Sequence, residues 1–137
     1  MSHLDIVRAQ LRIDEGLRLK PYLDTANKWT VGYGRNLSDK GLTLEEAELL
    51  LENDITEAEA TAKVLFQSFD SLSENRRAVL CNLAFNLGSQ RLAGFKRLRE
   101  AVAAGNWERA AAEMQDSRWF EQTKQRAVRL IKQMRDG

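Results

Sequence analysis

Two carboxyl groups and a hydroxyl, those of Glu15, Asp24 and Thr30, fall close together in the chain. They lie in Arg12-Ile13-Asp14-Glu15-Gly16-Leu17-Arg18-Leu19-Lys20-Pro21-Tyr22-Leu23-Asp24-Thr25, followed by Trp29-Thr30-Val31-Gly32-Tyr33-Gly34. A pair of carboxyl groups flanking a glycosidic bond can cleave it, one protonating the leaving oxygen while the other activates a water. A hydroxyl beside them would hold that water. The residues alone leave plainer readings open. Glu15 is also an acid in the last turn of a helix, paired with a base; Asp24 before Thr25 is ordinary turn chemistry; Thr30 is a β-branched residue suited to a strand.

The flanking pattern says which elements must position these groups. Leu4, Val7 and Leu11 recur at helical spacing and Glu15 follows Leu11 by four, so its carboxyl is expected to continue the apolar stripe, away from water. An acid so shielded keeps its proton more readily, as a general acid must. Gly16 is the expected helix stop. Pro21 and the polar cluster 24–28 read as a turn between short antiparallel strands at about 19–23 and 29–33. Gly32 and Gly34 let the backbone lie close to a ligand or a neighbouring strand.

Thr43-x-x-Glu46 is a capping box that opens a long helix through Ala47, Leu50, Leu51, Ile55, Ala58, Ala62 and Leu65. Ser71-x-x-Glu74 starts another, carrying Val79, Leu80, Leu83, Ala84 and Leu87 and closed by Gly88. Further helices are expected at about 94–104, from Asn106 as cap to about 115, and at about 123–134. The fold class is therefore α+β, predominantly α-helical, with one small antiparallel sheet near the N-terminus.

Three segments in order carry a family resemblance. The first is the stretch around Glu15, Asp24 and Thr30. The second comprises Arg76-Arg77-Ala78, Asn82-Leu83-Ala84-Phe85-Asn86-Leu87-Gly88 and Ala93-Gly94-Phe95. The third is Ser117-Arg118-Trp119-Phe120 with Gln122-Thr123, then Arg126-Ala127. Together they resemble the phage-type lysozymes, glycoside hydrolase family 24. The resemblance implies a single two-lobed domain over residues 1–137, with a small lobe at about 14–60, a long connecting helix, and a helical lobe from about 1–13 and 61–137.

It also implies an endolysin-like muramidase that cuts the β-1,4 bond between N-acetylmuramic acid and N-acetylglucosamine with inversion. Glu15 would be the general acid, Asp24 the base or an electrostatic stabiliser, and Thr30 the group that orients water. Phe85, Asn86, Ser117, Arg118 and Trp119 match segments that line or support the far side of the family's cleft. Arg126 matches an arginine that reaches back to the catalytic glutamate, and Gly34 would support the site. The departures lie after Gly34, where Arg35-Asn36-Leu37 stands in place of a histidine found in T-even members and the segment before the long helix is shorter.

Composition narrows the field further. One His and one Cys cannot furnish a zinc site, so no metal and no cofactor is expected. A cysteine peptidase would need Cys81 beside His3, and neither sits in a recognisable motif. No apolar run approaches a membrane span, and the charged N-terminus lacks a signal peptide's apolar segment. A phage or prophage enzyme of this kind would be made in the host cytoplasm as a monomer and reach the wall through a membrane hole made by a separate, holin-type protein.

The net charge of +1 conceals an asymmetry: residues 1–70 hold 8 Lys/Arg against 13 Asp/Glu, and residues 71–137 hold 13 against 7. A basic half can steer an anionic polymer such as peptidoglycan, or simply clothe helices in solvated charge. No groove-reading motif accompanies it, so nucleic acid is not an expected partner. The alternative from a different class is a lysozyme-like module that grips peptidoglycan without cutting it.

Overall fold

The computed structural model describes residues 1–137, and the chain divides into two compact units, Met1–Leu49 and Leu50–Gly137. The first holds helix α1 (His3–Glu15), a three-stranded sheet of β1 (Arg18–Leu23), β2 (Trp29–Gly32) and β3 (Arg35–Asn36), and the short helix α2 (Leu37–Lys40). Helix α3 (Leu44–Leu65) begins here and carries the chain into the second unit. Five more helices follow: α4 (Glu74–Ala93), α5 (Lys96–Ala103), α6 (Trp107–Gln115), α7 (Arg118–Thr123) and α8 (Gln125–Asp136). The α+β, mainly helical class is as the periodicity implied. No helix is long and apolar enough to cross a membrane.

Local chemistry sets these boundaries. Ser2 and Asp5 form a capping box at the start of α1, and Gly16 ends the helix at φ 68°. The strands are antiparallel in the order β1-β2-β3, with Tyr22 opposite Thr30 and Thr30 opposite Asn36. Asn36 ends β3 and caps α2 through its side chain, which accepts the Asp39 N–H. At α3 the expected box is present: Thr43 N–H donates to Glu46 Oε1 at 2.8 Å and Glu46 N–H to Thr43 Oγ1 at 3.1 Å. Gly88 breaks α4 at φ 80°, a conformation that only glycine takes cheaply. Asn106 caps α6, as its position suggested.

The two units are stabilised differently. Every buried apolar residue lies between Ala58 and Met134, a core built around Phe66, Leu80, Leu83, Leu98, Met114 and Met134. Burying each large side chain contributes roughly 1.5–3 kcal/mol. Arginines tie the helix ends of this unit: Arg99 donates to Leu65 O and Ala93 O, at 3.2 and 3.1 Å, and Arg76 to Met134 O and Arg135 O, at 2.7 and 2.8 Å, while stacking on Trp107. These cations meet the carbonyl-rich, negative ends of helices. Part of the basic excess of the second half is therefore structural.

In Met1–Leu49 the one buried residue is polar, Thr30. The unit is held by backbone ladders and polar ties. Lys28 Nζ reaches Asp39 Oδ1 at 3.0 Å, and Trp29 N–H donates to Ser38 Oγ at 2.8 Å. Arg35 grips Glu46.

Candidate active site

The hairpin β1–β2 fixes Asp24 and Thr30 through a single residue. Asp24 Oδ1 accepts two backbone N–H groups, from Ala26 at 2.8 Å and from Lys28 at 2.9 Å, an Asx turn that locks the carboxyl. The turn is closed by Asp24 N–H to Lys28 O at 2.9 Å and Asn27 N–H to Asp24 O at 3.0 Å, with Asn27 at φ 60°. Asp24 Oδ2 is left without a protein hydrogen bond. Thr30 is 4% exposed, and its hydroxyl donates to Lys28 O at 3.0 Å. With its hydrogen committed, the Thr30 oxygen is left only as an acceptor. A fixed carboxylate oxygen and a fixed hydroxyl acceptor are what a water with two hydrogens to donate requires.

Glu15 ends α1, and its carboxyl stands against Gly34. A Cβ built on Gly34 would lie 2.7 Å from Glu15 Oε2 and 3.1 Å from its Cδ, so the close approach requires glycine, at φ 73°. One expectation is corrected here: α1 buries none of its residues, and Leu4, Leu11 and Glu15 itself are exposed. The apolar periodicity correctly placed Glu15 on the stripe but said nothing of what covers the stripe. The acid is set by a backbone wall at Gly34, not by an apolar sheath.

Arg35 and Glu46 were not singled out as site residues. Arg35 Nη1 donates to Glu46 Oε1 at 2.7 Å and to Gly41 O at 3.1 Å, and Arg35 Nη2 to Glu46 Oε2 at 2.5 Å. The guanidinium first, then the Thr43 N–H, holds the Glu46 carboxyl down to about 2. The capping box was a signal for Glu46; its second partner, eleven residues away, had none.

In Leu50–Gly137 the remaining candidates are spread over α4, the start of α7 and α8. Trp119 is 1% exposed, and its indole N–H donates to Asn86 Oδ1 at 2.9 Å, so the ring belongs to the core while Asn86 is at the surface. Phe85 is exposed and lines a cavity of about 230 Å³ with Asp54, Glu57, Gly88 and Ser89. Ser117 caps α7 by accepting the Phe120 N–H and lines a cavity of about 370 Å³ with Lys96, Arg97, Glu113 and Asp116. Arg118 is exposed. The Arg126 guanidinium donates from Nε and Nη2 to Asn82 Oδ1, at 3.0 and 2.7 Å, tying α8 to α4. Cys81 is half-buried, and burial raises its thiol pKa. No three His, Cys, Asp or Glu side chains converge.

Comparison with known proteins gives the site its context. The family described as phage lysozyme matches residues 12–135, a span that includes Glu15, Asp24 and Thr30. The pre-baseplate central spike protein Gp5 of Enterobacteria phage T4 is 31% identical over 88% of the chain, which spans about 26% of that protein's length. A probable T4-type lysozyme 2 of Dictyostelium discoideum is 26% identical over 96% of the chain and 94% of its own length. An endolysin of Acyrthosiphon pisum secondary endosymbiont phage 1 is 37% identical over 72% of the chain and 68% of its length.

Proposed function

Because this chain belongs to the phage lysozyme family, we infer that it is a peptidoglycan hydrolase of the lysozyme type, cleaving the β-1,4 bond between N-acetylmuramic acid and N-acetylglucosamine with inversion. The observation that carries the reading is the anchoring of Asp24 and Thr30 on Lys28, which leaves Asp24 Oδ2 and the Thr30 oxygen as fixed acceptors. Glu15 would donate its proton to the leaving glycosidic oxygen as the C1–O bond breaks. A water held by Asp24 and Thr30 would attack C1 from the opposite face and pass its proton to Asp24. Two carboxyl groups serving one bond in this way is the logic of inverting glycosidases.

Asn86, Ser117, Arg118 and Phe85 would contact sugar or stem peptide, with buried Trp119 acting by holding Asn86. Arg126, tied to Asn82, would support α4, which presents Phe85 and Asn86. Bacteriolysis is the expected outcome. An enzyme made inside the host cell would act in the periplasm only after a separate protein opened the membrane, and it would work as a monomer.

A second reading draws on the spike-protein relative: a wall-binding module within a larger assembly. The two separate cleanly. Purified, outer-membrane-stripped Gram-negative peptidoglycan is incubated with wild type and Glu15→Gln, and new reducing ends are assayed, with the product anomer read by NMR. Release of the α anomer by wild type and none by the variant supports the hydrolase. If both proteins sediment with the wall and neither releases sugar, the chain is a binder.

A further inference from the structure

Gly34, the wall behind Glu15, is followed directly by Arg35, whose side chain makes three hydrogen bonds. Its guanidinium engages both oxygens of Glu46 and the carbonyl of Gly41, while its backbone pairs with Val31 in β2. Glu46 is itself fixed in the first turn of α3, where Oε1 also accepts the Thr43 N–H. No apolar side chain is buried within Met1–Leu49, so close packing does not set the position of residues 34 and 35. Polar ties do. A continuous series of contacts therefore runs from the start of α3 through Glu46, Arg35 and Gly34 to the carboxyl of Glu15.

We propose that Arg35 and Glu46 are positioning residues for the hydrolytic reaction, fixing Gly34 and through it the place of the Glu15 carboxyl. The proposal rests on the reading of Glu15 as proton donor. Arginine is required because a planar fork resists rotation about the contact, whereas a lysine ammonium is a point charge that leaves Gly34 free to shift. The cost of misplacing a catalytic group by about 1 Å is on the order of a hundredfold in rate.

The test compares wild type, Arg35→Lys, Arg35→Met and Glu46→Gln for kcat and KM on soluble peptidoglycan fragments. In parallel, the carboxyl resonance of Glu15 is followed in ¹³C-labelled protein. The expected result is a fall in kcat of about ten- to a hundredfold in all three variants with KM unchanged, together with a shifted Glu15 resonance. Lysine should behave like methionine, although it keeps the charge. A lowered melting temperature with unchanged kcat and an unmoved resonance makes the contact a mere brace and overturns the proposal. If wild type releases no reducing ends, the hydrolase reading fails and the resonance alone decides: a shift in Arg35→Lys upholds the positioning, and no shift overturns it.

Discussion

Asp24 and Thr30 are anchored to opposite ends of one residue: Asp24 Oδ1 accepts the Lys28 N–H at 2.9 Å, and the Thr30 hydroxyl donates to the Lys28 carbonyl at 3.0 Å. The turn thus does two jobs with one carboxylate, since Oδ1 shapes the loop and Oδ2 is left for solvent or substrate.

The two jobs can be separated. Asp24→Asn keeps an Oδ1 acceptor for Ala26 and Lys28, so stability should stay within about 0.5 kcal/mol of wild type. Activity should fall on the order of a hundredfold or more, because the amide cannot take a proton from water. Asp24→Ala loses the turn as well and should cost about 1 kcal/mol in addition. Urea unfolding and reducing-end release give the two readouts. A strongly destabilised Asp24→Asn would mean that charge, not hydrogen-bond geometry, holds the turn.

Gly34→Ala places a methyl 2.7 Å from Glu15 Oε2 at φ 73°. The left-handed backbone should cost about 1–2 kcal/mol. Because Glu15 is exposed and its side chain can swing away, the clash itself adds little to stability; it moves the carboxyl instead. We expect a loss of activity of about a hundredfold in the folded fraction, measured after correcting for the melting shift. Full activity per folded molecule would remove Gly34 from any part in placing the acid.

Much of this arrangement was legible in the sequence. Gly16, the Thr43–Glu46 box and the Asn106 cap are local signals, and each marks its element where expected, whereas α4 is capped by Ser73 instead of Ser71 and runs past Gly88, a kink within it, to Ala93. The short elements were not legible. A two-residue strand at Arg35–Asn36 and a four-residue helix at Leu37–Lys40 are too brief to show a period, and single side-chain contacts such as Asn36 to Asp39 N–H hold them. Likewise, the ties of Arg99 to Leu65 and of Arg126 to Asn82 join residues far apart in the chain, which spacing cannot reveal. Exposure of α1 escaped for a related reason: periodicity identifies a face, while its covering depends on distant segments.

The Glu46 carboxyl titrates well below its ordinary 4.5, down to about 2, chiefly because the Arg35 guanidinium binds its charged form. Between those values the unfolded chain takes up a proton that the folded one refuses, so this contact stabilises the fold fully above about 4.5 and loses its contribution as pH falls toward 2. Glu46→Gln should therefore be less stable than wild type at pH 6, with the gap narrowing through pH 4 and 3 and closing near pH 2. Both side chains are partly solvated, so the gap should be modest and shrink with added salt. Urea unfolding across that range is the check; a gap independent of pH would refute the assignment.

Asn86 and Trp119 offer the sharpest test of how the second unit presents its candidate binding groups. The indole is buried while the amide is exposed, so removing either partner has unequal consequences. Asn86→Ala leaves a buried N–H without an acceptor and should cost about 1–3 kcal/mol. Trp119→Phe leaves Asn86 free to meet water, and its cost of about 2 kcal/mol comes mainly from the volume lost in the core. In the double variant the orphaned donor no longer exists, so the two costs should fall short of additivity by about 1 kcal/mol. Urea unfolding followed by far-ultraviolet circular dichroism measures all four proteins without relying on the tryptophan removed. Strict additivity would show that the hydrogen bond contributes nothing to the fold, and that Asn86 is held by its helix alone.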